Sequence, residues 1–335
     1  MQSLAHSRLV VILGNGARQM ALLPFLNVPI LTSWPAADLV DNDHPLYFGR
    51  PGVYGQRCAN KVLAGATHVM PVGCRLSIWT VGHDFPRAGQ QVVKSLDGVA
   101  VDHGWLDQCR AWRDAYPWIE SPSHDDSGGY LNPHRFMARL QKHLKPDACI
   151  VADCATGSLA AHQILRLKPP QRLMTSGGLG EMGCGLPAAV GASFARGRGE
   201  VVCLTSDGGI MLTVQELATI AHHRLPVKIV VFCNDGYGMI KDTQRNLGYR
   251  TVGVNAASGV SFPDFLRLGE SFGIPSAKAE KTAEVALRWL FMQEGPALLQ
   301  VDIDPDYLWA PKLRPGKNAD GSIKHADFAE MEPTI

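Results

Sequence analysis

Two polar motifs that each close an apolar run constrain the fold more than any other feature. Val201–Thr205 leads into Ser206–Gly209, and Ile229–Cys233 leads into Asn234–Tyr237. Apolar runs of this length, bounded by turn formers, are typical of strands buried on both faces of a parallel sheet. The stretch Thr213–Ala221 between them has the apolar spacing of a helix. The sequence therefore predicts a β-α-β unit, whose right-handed crossover places both strand ends at one edge of the sheet.

This edge is where ligands of open α/β sheets bind, so we expect Asp207 and Asn234 to meet there. A carboxylate, an amide oxygen and an exposed loop carbonyl suit a hard divalent ion that also holds phosphate oxygens. Neighbouring glycines let backbone N–H groups approach a diphosphate. Asp-Gly and Asn-Asp-Gly are also common turns after strands. Their joint occurrence, 27 positions apart, favours the metal–diphosphate interpretation over two unrelated turns.

A dense run of glycines forms a second candidate motif. Six glycines occur in Ser176–Ala192, at positions 177, 178, 180, 183, 185 and 191. A small-residue helix packed tightly on a sheet would account for Gly185 and Gly191. It accounts less well for the run from Gly177 to Gly183. This run favours a loop in which the backbone itself approaches a ligand.

Together these motifs resemble the thiamine-diphosphate enzymes, and the glycine-rich segment resembles their acetolactate-synthase branch. The family signature is a Gly-Asp-Gly triplet followed about one β-α unit later by Asn. Here Ser206 replaces the first glycine, and Cys233 replaces the asparagine that often precedes the second ligand. The resemblance implies that Mg²⁺ is bound by the side chains of Asp207 and Asn234 and by the carbonyl of Gly236.

The resemblance also implies which residues contact the cofactor. Met182 would be the apolar wedge that bends it, and the carbonyl of Gly180 would accept a hydrogen bond from its aminopyrimidine. An isolated methionine near glycines is usually core filler, but the motif favours the cofactor role. Besides Asp207 and Asn234, the other expected cofactor-binding residues are Thr156, Gly157, Gly208, Gly209, Tyr237, Gly238 and Met239.

Alternating strand and helix signals predict an α/β protein with two doubly wound parallel-sheet domains. A shortened Rossmann-like middle domain is expected at 1–120 and a thiamine-diphosphate-binding domain at 133–310, with a tail at 311–335. The aromatic, turn-rich stretch from Asp102 to Tyr130 is typical of a crossing between domains, and the linker itself is expected at 121–132.

Gly14-Asn15-Gly16, after the apolar run Leu9–Leu13, leaves a nucleotide-dependent oxidoreductase as a distant alternative. The third glycine and the acidic residue of the dinucleotide fingerprint are not clear, and this alternative does not explain Asp207 with Asn234.

Between Gln19 and Leu26 there is little room for the helix that is expected in the middle domain. The middle domain therefore looks cropped, which makes FAD binding unfavourable.

Composition excludes several other classes. Charged residues make up 19% of the chain, the net charge is +1, and there is no basic block that would bind nucleic acid. No signal peptide or membrane-spanning segment is expected. The eight cysteines form no Cys-x-x-Cys pair, which favours reduced thiols. These features predict a cytoplasmic protein with no membrane partner.

The resemblance implies decarboxylation or carboligation of 2-keto acids, dependent on thiamine diphosphate and Mg²⁺. In the family, the activating glutamate lies in an N-terminal pyrimidine domain that this sequence does not contain. We therefore expect no catalytic residue here, an inactive isolated chain, and a pyrimidine domain supplied in trans or within a homo-oligomer. Trp79 replaces the arginine that meets the substrate carboxylate in acetolactate synthases, so the substrate stays open. The alternative is a catalytically silent cofactor-binding or structural subunit, or a fragment of such an enzyme.

Overall fold

The computed structural model describes residues 7–20, 28–95, 102–280, 282–320, 322–324 and 326–333. The chain divides into two compact units. The first contains Met1–Glu120, Arg166–Pro169 and Trp309–Ile335, and the second contains Ser121–Leu165 and Pro170–Leu308. Among the described residues, no helix combines the length and the apolar character that crossing a membrane requires.

The first unit is built on a four-stranded parallel sheet with the strand order β2-β1-β3-β4. Its strands are β1 (Leu9–Leu13), β2 (Ile30–Thr32), β3 (His68–Val72) and β4 (Gln91–Val92). Its helices are α1 (Arg57–Gly65), α2 (Ile78–Val81) and α3 (His103–Ala115), with 3₁₀ turns at Asn15–Gln19 and Trp34–Ala36. Alternate side chains of β1 enter two apolar clusters: Val10 and Ile12 belong to one, and Leu9, Val11 and Leu13 to the other. The central strand is thus buried on both faces, as its continuous apolar run predicts.

Helix α3 corrects the interpretation of 102–130 as a crossing between domains. The Asp102 side chain caps the helix by accepting the backbone N–H of Gly104 at 2.9 Å. Trp105 and Cys109, four positions apart on one face, are buried in the cluster that also holds Val10 and Ile12. For 103–115 the prediction was wrong, because the polar composition of this stretch concealed an apolar stripe at helical spacing.

The turn Gly14-Asn15-Gly16 is explained by packing within the first unit. A side chain at Gly14 would collide with the backbone of Gly73, and the N–H of Gly16 donates to the carbonyl of Gly73 at 3.1 Å. Close approach of the ends of β1 and β3 therefore requires a glycine at position 14. The short Gln19–Leu26 connection noted above lies mostly at 21–27, outside the described residues.

The second unit contains a six-stranded parallel sheet with the order β6-β5-β7-β8-β10-β9. Its strands are β5 (Cys149–Ala152), β6 (Arg172–Thr175), β7 (Val201–Ser206), β8 (Val227–Cys233), β9 (Ser276–Lys278) and β10 (Ala297–Asp302). Its helices are α4 (Pro133–Leu140), α5 (Thr156–Ile164), α6 (Gly185–Ala195), α7 (Asp207–Met211), α8 (Glu216–His222), α9 (Gly238–Asn246), α10 (Phe265–Ser271) and α11 (Glu284–Met292). Two parallel sheets with flanking helices confirm the predicted α/β class.

The strand order creates a point where the chain reverses direction across the sheet. From β5 the chain passes to β6 on one side and then to β7 on the other. In open α/β sheets, a crevice for ligands lies outside the carboxyl ends of the two strands that flank such a point. Here these ends are followed by Asp153 and Asp207.

Residues 309–335 are grouped with the first unit, where they form the short antiparallel pair β11 (Gly316–Lys317) and β12 (Ile323–Lys324). Leu313, Phe328 and Met331 are buried in the apolar cluster beside α1. These three side chains therefore contribute to the core of the first unit. The domain boundaries at 120, 132 and 310 stay a prediction.

Candidate cofactor and metal site

The carboxylate of Asp207 organises the carboxyl edge of the second sheet. Asp207 directly follows β7 and is only 1% exposed. Its Oδ1 accepts the backbone N–H of Gly208 at 2.8 Å. Its Oδ2 accepts the N–H groups of Asn234 at 3.0 Å and Gly236 at 3.2 Å. One side chain thus joins the two motifs that the sequence analysis singled out.

The environment of Asp207 raises its pKa. Burial disfavours the charged carboxylate and raises the pKa to about 6, although the N–H donors of Gly208, Asn234 and Gly236 act in the opposite direction. A cation bound beside Asp207 would favour the ionised form. A bound cation would therefore offset the electrostatic cost of burying the charged carboxylate.

The loop after β8 is shaped by two glycines. A side chain at Gly236 would collide with the carbonyl of Val254, and Gly236 forms an antiparallel bridge with Asn255. A side chain at Gly238 would collide with the amide of Asn234. These contacts hold the half-buried Asn234 beside the end of β8. Backbone packing thus requires glycine at position 236, and glycine at position 238 leaves room for the Asn234 amide.

The donors gathered here suit magnesium. Within the described ranges, no three His, Cys, Asp or Glu side chains form a group that could hold a metal ion. The oxygen ligands that this edge offers a cation are the Asp207 carboxylate, the Asn234 amide and the Gly236 carbonyl. Hard oxygen donors, completed by waters and substrate phosphates, are the ligands that Mg²⁺ prefers. The residues present fit this ion.

Gly208 and Gly209 leave room for two neighbouring side chains. A side chain at Gly208 would overlap the ring of Tyr237. At Gly209, a Cβ atom would lie 2.7 Å from Oδ2 of Asp153. The Tyr237 ring also packs edge-to-face on Phe262, with centroids 5.7 Å apart. Gly208 and Gly209 are therefore packed against side chains from two other segments, those that follow β8 and β5.

Four of the other predicted cofactor-binding residues lie at helix starts on the same edge. Thr156 and Gly157 open α5 after β5, and a Cβ at Gly157 would lie 3.1 Å from Leu204 of β7. Gly238 and Met239 open α9 after β8. Backbone N–H groups at helix starts attract phosphate. The strand order brings these two starts to either side of Asp207.

The glycine-rich loop reaches this edge through Gly183. Gly180 is exposed and has a φ of +67°, a value that favours glycine, while Met182 is half-buried. The N–H of Gly183 donates to Oδ1 of Asp153 at 3.0 Å. Asp153 was given no role by the sequence reasoning. Its position directly after β5, matching that of Asp207 after β7, is the signal that could have identified it.

A partly open cavity of about 190 Å³ adjoins the metal motif. Its lining consists of Asn234, Asp235, Gly236, Gly238, Lys241, Val254, Asn255, Ala256, Ala257 and Pro305. The ammonium of Lys241 donates to the Pro305 carbonyl at 3.0 Å and to the Asp306 carboxylate at 2.7 Å. The single cation among the lining side chains is thus already paired.

Comparison with known proteins identifies related acetolactate synthases. The probable acetolactate synthase large subunit of Methanococcus aeolicus is 28% identical over 88% of this chain and 57% of its own length. The isozyme 2 large subunit of Escherichia coli K12 is 28% identical, with 88% and 59% covered. The large subunit of Porphyra purpurea is 31% identical, with 89% and 56% covered. The chain thus spans little more than half the length of these relatives.

Two family models match successive parts of the sequence. Residues 4–100 match the central domain of thiamine pyrophosphate enzymes. Residues 153–301 match the C-terminal TPP binding domain of the same enzymes. The second match includes Asp207, Asn234 and the glycine-rich loop. The chain therefore belongs to the thiamine pyrophosphate enzymes, whose central and C-terminal TPP-binding domains it carries.

Proposed function

We propose that this chain binds thiamine diphosphate with Mg²⁺ and contributes the diphosphate-binding half of an active site that decarboxylates or joins 2-keto acids. The observation that supports this most directly is the contact of Asp207 with the backbone of Asn234 and Gly236. This contact supports a Mg²⁺ site, because three residues with oxygen groups of the kind that Mg²⁺ prefers lie together at the carboxyl edge, where open α/β sheets bind ligands. The similarity to acetolactate synthase large subunits supports the reaction class.

The roles that we propose for these residues come from the resemblance to the family. Asp207, Asn234 and the Gly236 carbonyl would hold Mg²⁺, which neutralises the diphosphate. The N–H groups at the starts of α5 and α9 would donate to phosphate oxygens. Met182 would support the ring portion of the cofactor with an apolar surface. When bound, thiamine diphosphate supplies an electron sink for the loss of CO₂ from the substrate.

The remaining parts of the active site would come from outside these 335 residues. The family places the activating glutamate in a pyrimidine-binding domain, and we propose that such a domain completes the site, from another chain or within an oligomer. The relatives are described as large subunits, which supports an assembly of several chains. We expect the chain to act away from membranes and nucleic acid, in the cytoplasm.

The binding step is tested by calorimetric titration of the chain with thiamine diphosphate, in Mg²⁺ and in EDTA. We expect binding only with Mg²⁺. At ligand concentrations of 100 Kd, the bound chain should gain about 2.7 kcal/mol of stability against unfolding. Absence of binding in Mg²⁺ would refute the proposed cofactor role.

The catalytic step is tested by following CO₂ release from a panel of 2-keto acids. We expect release only when the loaded chain is mixed with a separately produced pyrimidine-binding domain from a related enzyme. Cofactor binding with no release in any mixture would instead favour a catalytically silent subunit. The same panel would identify the donor keto acid.

A further inference from the structure

Asp153 is a buried carboxylate at the reversal point of the second sheet. It follows β5 and is only 1% exposed. Its Oδ1 accepts the N–H of Cys154 at 2.7 Å and that of Gly183 at 3.0 Å. Its Oδ2 accepts the hydroxyl of Thr205 at 2.9 Å. The carboxylate thus ties the end of β5 to β7 and to the glycine-rich loop.

Two glycines of the expected cofactor motifs make room for this side chain. A Cβ at Gly185 would lie 2.9 Å from the Cβ of Asp153. A Cβ at Gly209 would lie 2.7 Å from its Oδ2. Contacts below about 3 Å would force a shift in the packing. Glycine at these two positions is therefore explained by the space that the Asp153 side chain occupies.

The link to Gly183 places Asp153 next to the cofactor residues of the loop. The N–H that Asp153 accepts belongs to the peptide joining Met182 to Gly183. The carbonyl of Gly183 accepts the hydroxyl of Thr213 at 2.8 Å. A Cβ at Gly183 would lie 2.7 Å from the Cβ of Leu212. The end of the loop is thus held between Asp153 and the chain that follows α7.

We propose that Asp153 is a positioning residue that holds the Met182–Gly183 peptide, so that Gly180 and Met182 face the ring portion of the cofactor. The inference rests on the proposed function. Removing the carboxylate leaves the buried N–H of Gly183 and the hydroxyl of Thr205 without their acceptor, which disfavours the ordered loop. The metal ligands, which Asp207 organises, would keep their own hydrogen bonds.

The first test needs no cofactor. Hydrogen exchange of the segment 177–184 is measured in the ligand-free parent and in Asp153→Ala. We expect exchange at Gly183 to be faster in the variant by roughly tenfold or more, because its acceptor is lost. Asp147→Ala, which removes an exposed carboxylate before β5 that pairs with Arg196 at 2.9 Å, is the control and should leave this exchange unchanged. Equal exchange at Gly183 in parent and Asp153→Ala would overturn the inference.

The second test separates the ring portion of the cofactor from the diphosphate. Thiamine diphosphate and inorganic diphosphate are titrated into each protein with Mg²⁺. We expect Asp153→Ala to weaken thiamine diphosphate binding roughly tenfold to a hundredfold and inorganic diphosphate binding by about twofold or less. Equal losses for both ligands, or no loss for either, would refute positioning through the loop. If the parent binds neither ligand, the proposed function fails. Hydrogen exchange at Gly183 still shows in that case whether Asp153 orders the end of the loop.

A milder variant covers the case in which Asp153→Ala does not fold. Thr205→Val removes one hydrogen-bond donor to the carboxylate and keeps the size of the side chain. We expect it to weaken thiamine diphosphate binding by about threefold while leaving inorganic diphosphate binding unchanged. Unchanged binding of both ligands by folded Thr205→Val, together with unchanged exchange at Gly183, would count against the inference.

Discussion

The Asp207 carboxylate accepts the backbone N–H of Asn234 at 3.0 Å, so the two proposed side-chain ligands of Mg²⁺ are joined directly across neighbouring strands. Asp207→Asn removes the charge and turns an N–H donor toward donors of the Asn234 loop. We expect it to lower the free energy of unfolding by about 1–3 kcal/mol. Calorimetry should show Mg²⁺-dependent binding of thiamine diphosphate weakened by about a hundredfold or more, equivalent to about 3 kcal/mol.

The neighbouring Asp235 provides a matched control for that substitution. It is exposed and has a φ of +54°, a conformation that asparagine tolerates. Asp235→Asn removes the same charge from the neighbouring loop, after β8, while leaving the bonds of Asp207 intact. Its affinity for thiamine diphosphate should stay within about twofold of the parent's. Equal losses in both variants would show that overall charge, rather than ligation by Asp207, controls binding.

Much of the fold could be predicted from local sequence patterns. The continuous apolar runs predicted β1, β7 and β8 because strands of parallel sheets are buried on both faces. The β-α-β spacing then placed Asp207 and Asn234 at one edge, where the structure brings them into contact. These inferences succeed because strand identity, crossover handedness and the edge they define depend on residues close in sequence.

Other features depend on partners far along the chain. Asp153 binds Gly183 and Thr205, which are 30 and 52 positions away, so its partners cannot be predicted from the residues around it. The burial of Phe328 in the first unit likewise depends on residues near the other end of the chain. Turn-rich or polar composition alone predicts a linker around Asp102–Tyr130 and a tail at 311–335. Composition reports local solvation, whereas these contacts are set by tertiary packing.

Ala155 holds a strained backbone conformation at the start of α5. Its φ of +64° and ψ of −131° lie in a region that glycine reaches easily and that costs other residues about 1–3 kcal/mol. We expect Ala155→Gly to raise the free energy of unfolding by about 1 kcal/mol, after the greater backbone entropy of glycine is subtracted. Ala161→Gly, inside the same helix, should lower it by about 1 kcal/mol or more. Chemical denaturation of both variants tests the contrast, and destabilisation by both would contradict it.

His134 makes the stability of the second unit depend on pH. It stacks on His124 with centroids 3.9 Å apart, and its ring nitrogens bond to Gln163 at 2.6 Å and Tyr307 at 3.0 Å. Burial, with a contribution from His124, holds the pKa of His134 well below its ordinary value. In the unfolded chain His134 therefore binds a proton as the pH falls through about 6.5, whereas in the folded chain it stays neutral there.

Because folded His134 does not take up this proton, the second unit should lose stability as the pH falls. As the pH falls below about 6.5, the free energy of unfolding should decrease by about 1.4 kcal/mol per pH unit from this group, until the folded pKa is reached. His134→Gln removes the titrating ring and should reduce the slope by that amount, although its stability at neutral pH will be lower. Urea unfolding between about pH 7 and 5 measures both slopes. Identical slopes in parent and variant would rule out His134 as the source.

Gly208 lies directly against the ring of Tyr237. A methyl group there would overlap the Tyr237 ring, which can rotate away, so Gly208→Ala should fold but displace Tyr237. We expect thiamine diphosphate affinity to fall by about tenfold, equivalent to about 1.4 kcal/mol. Gly191→Ala is the control: its methyl group meets no atom within 4 Å, and in helix α6 it should stabilise the fold by about 0.5–1 kcal/mol without changing affinity. If Gly208→Ala binds as tightly as Gly191→Ala, contact between Tyr237 and the first motif is not needed for cofactor binding.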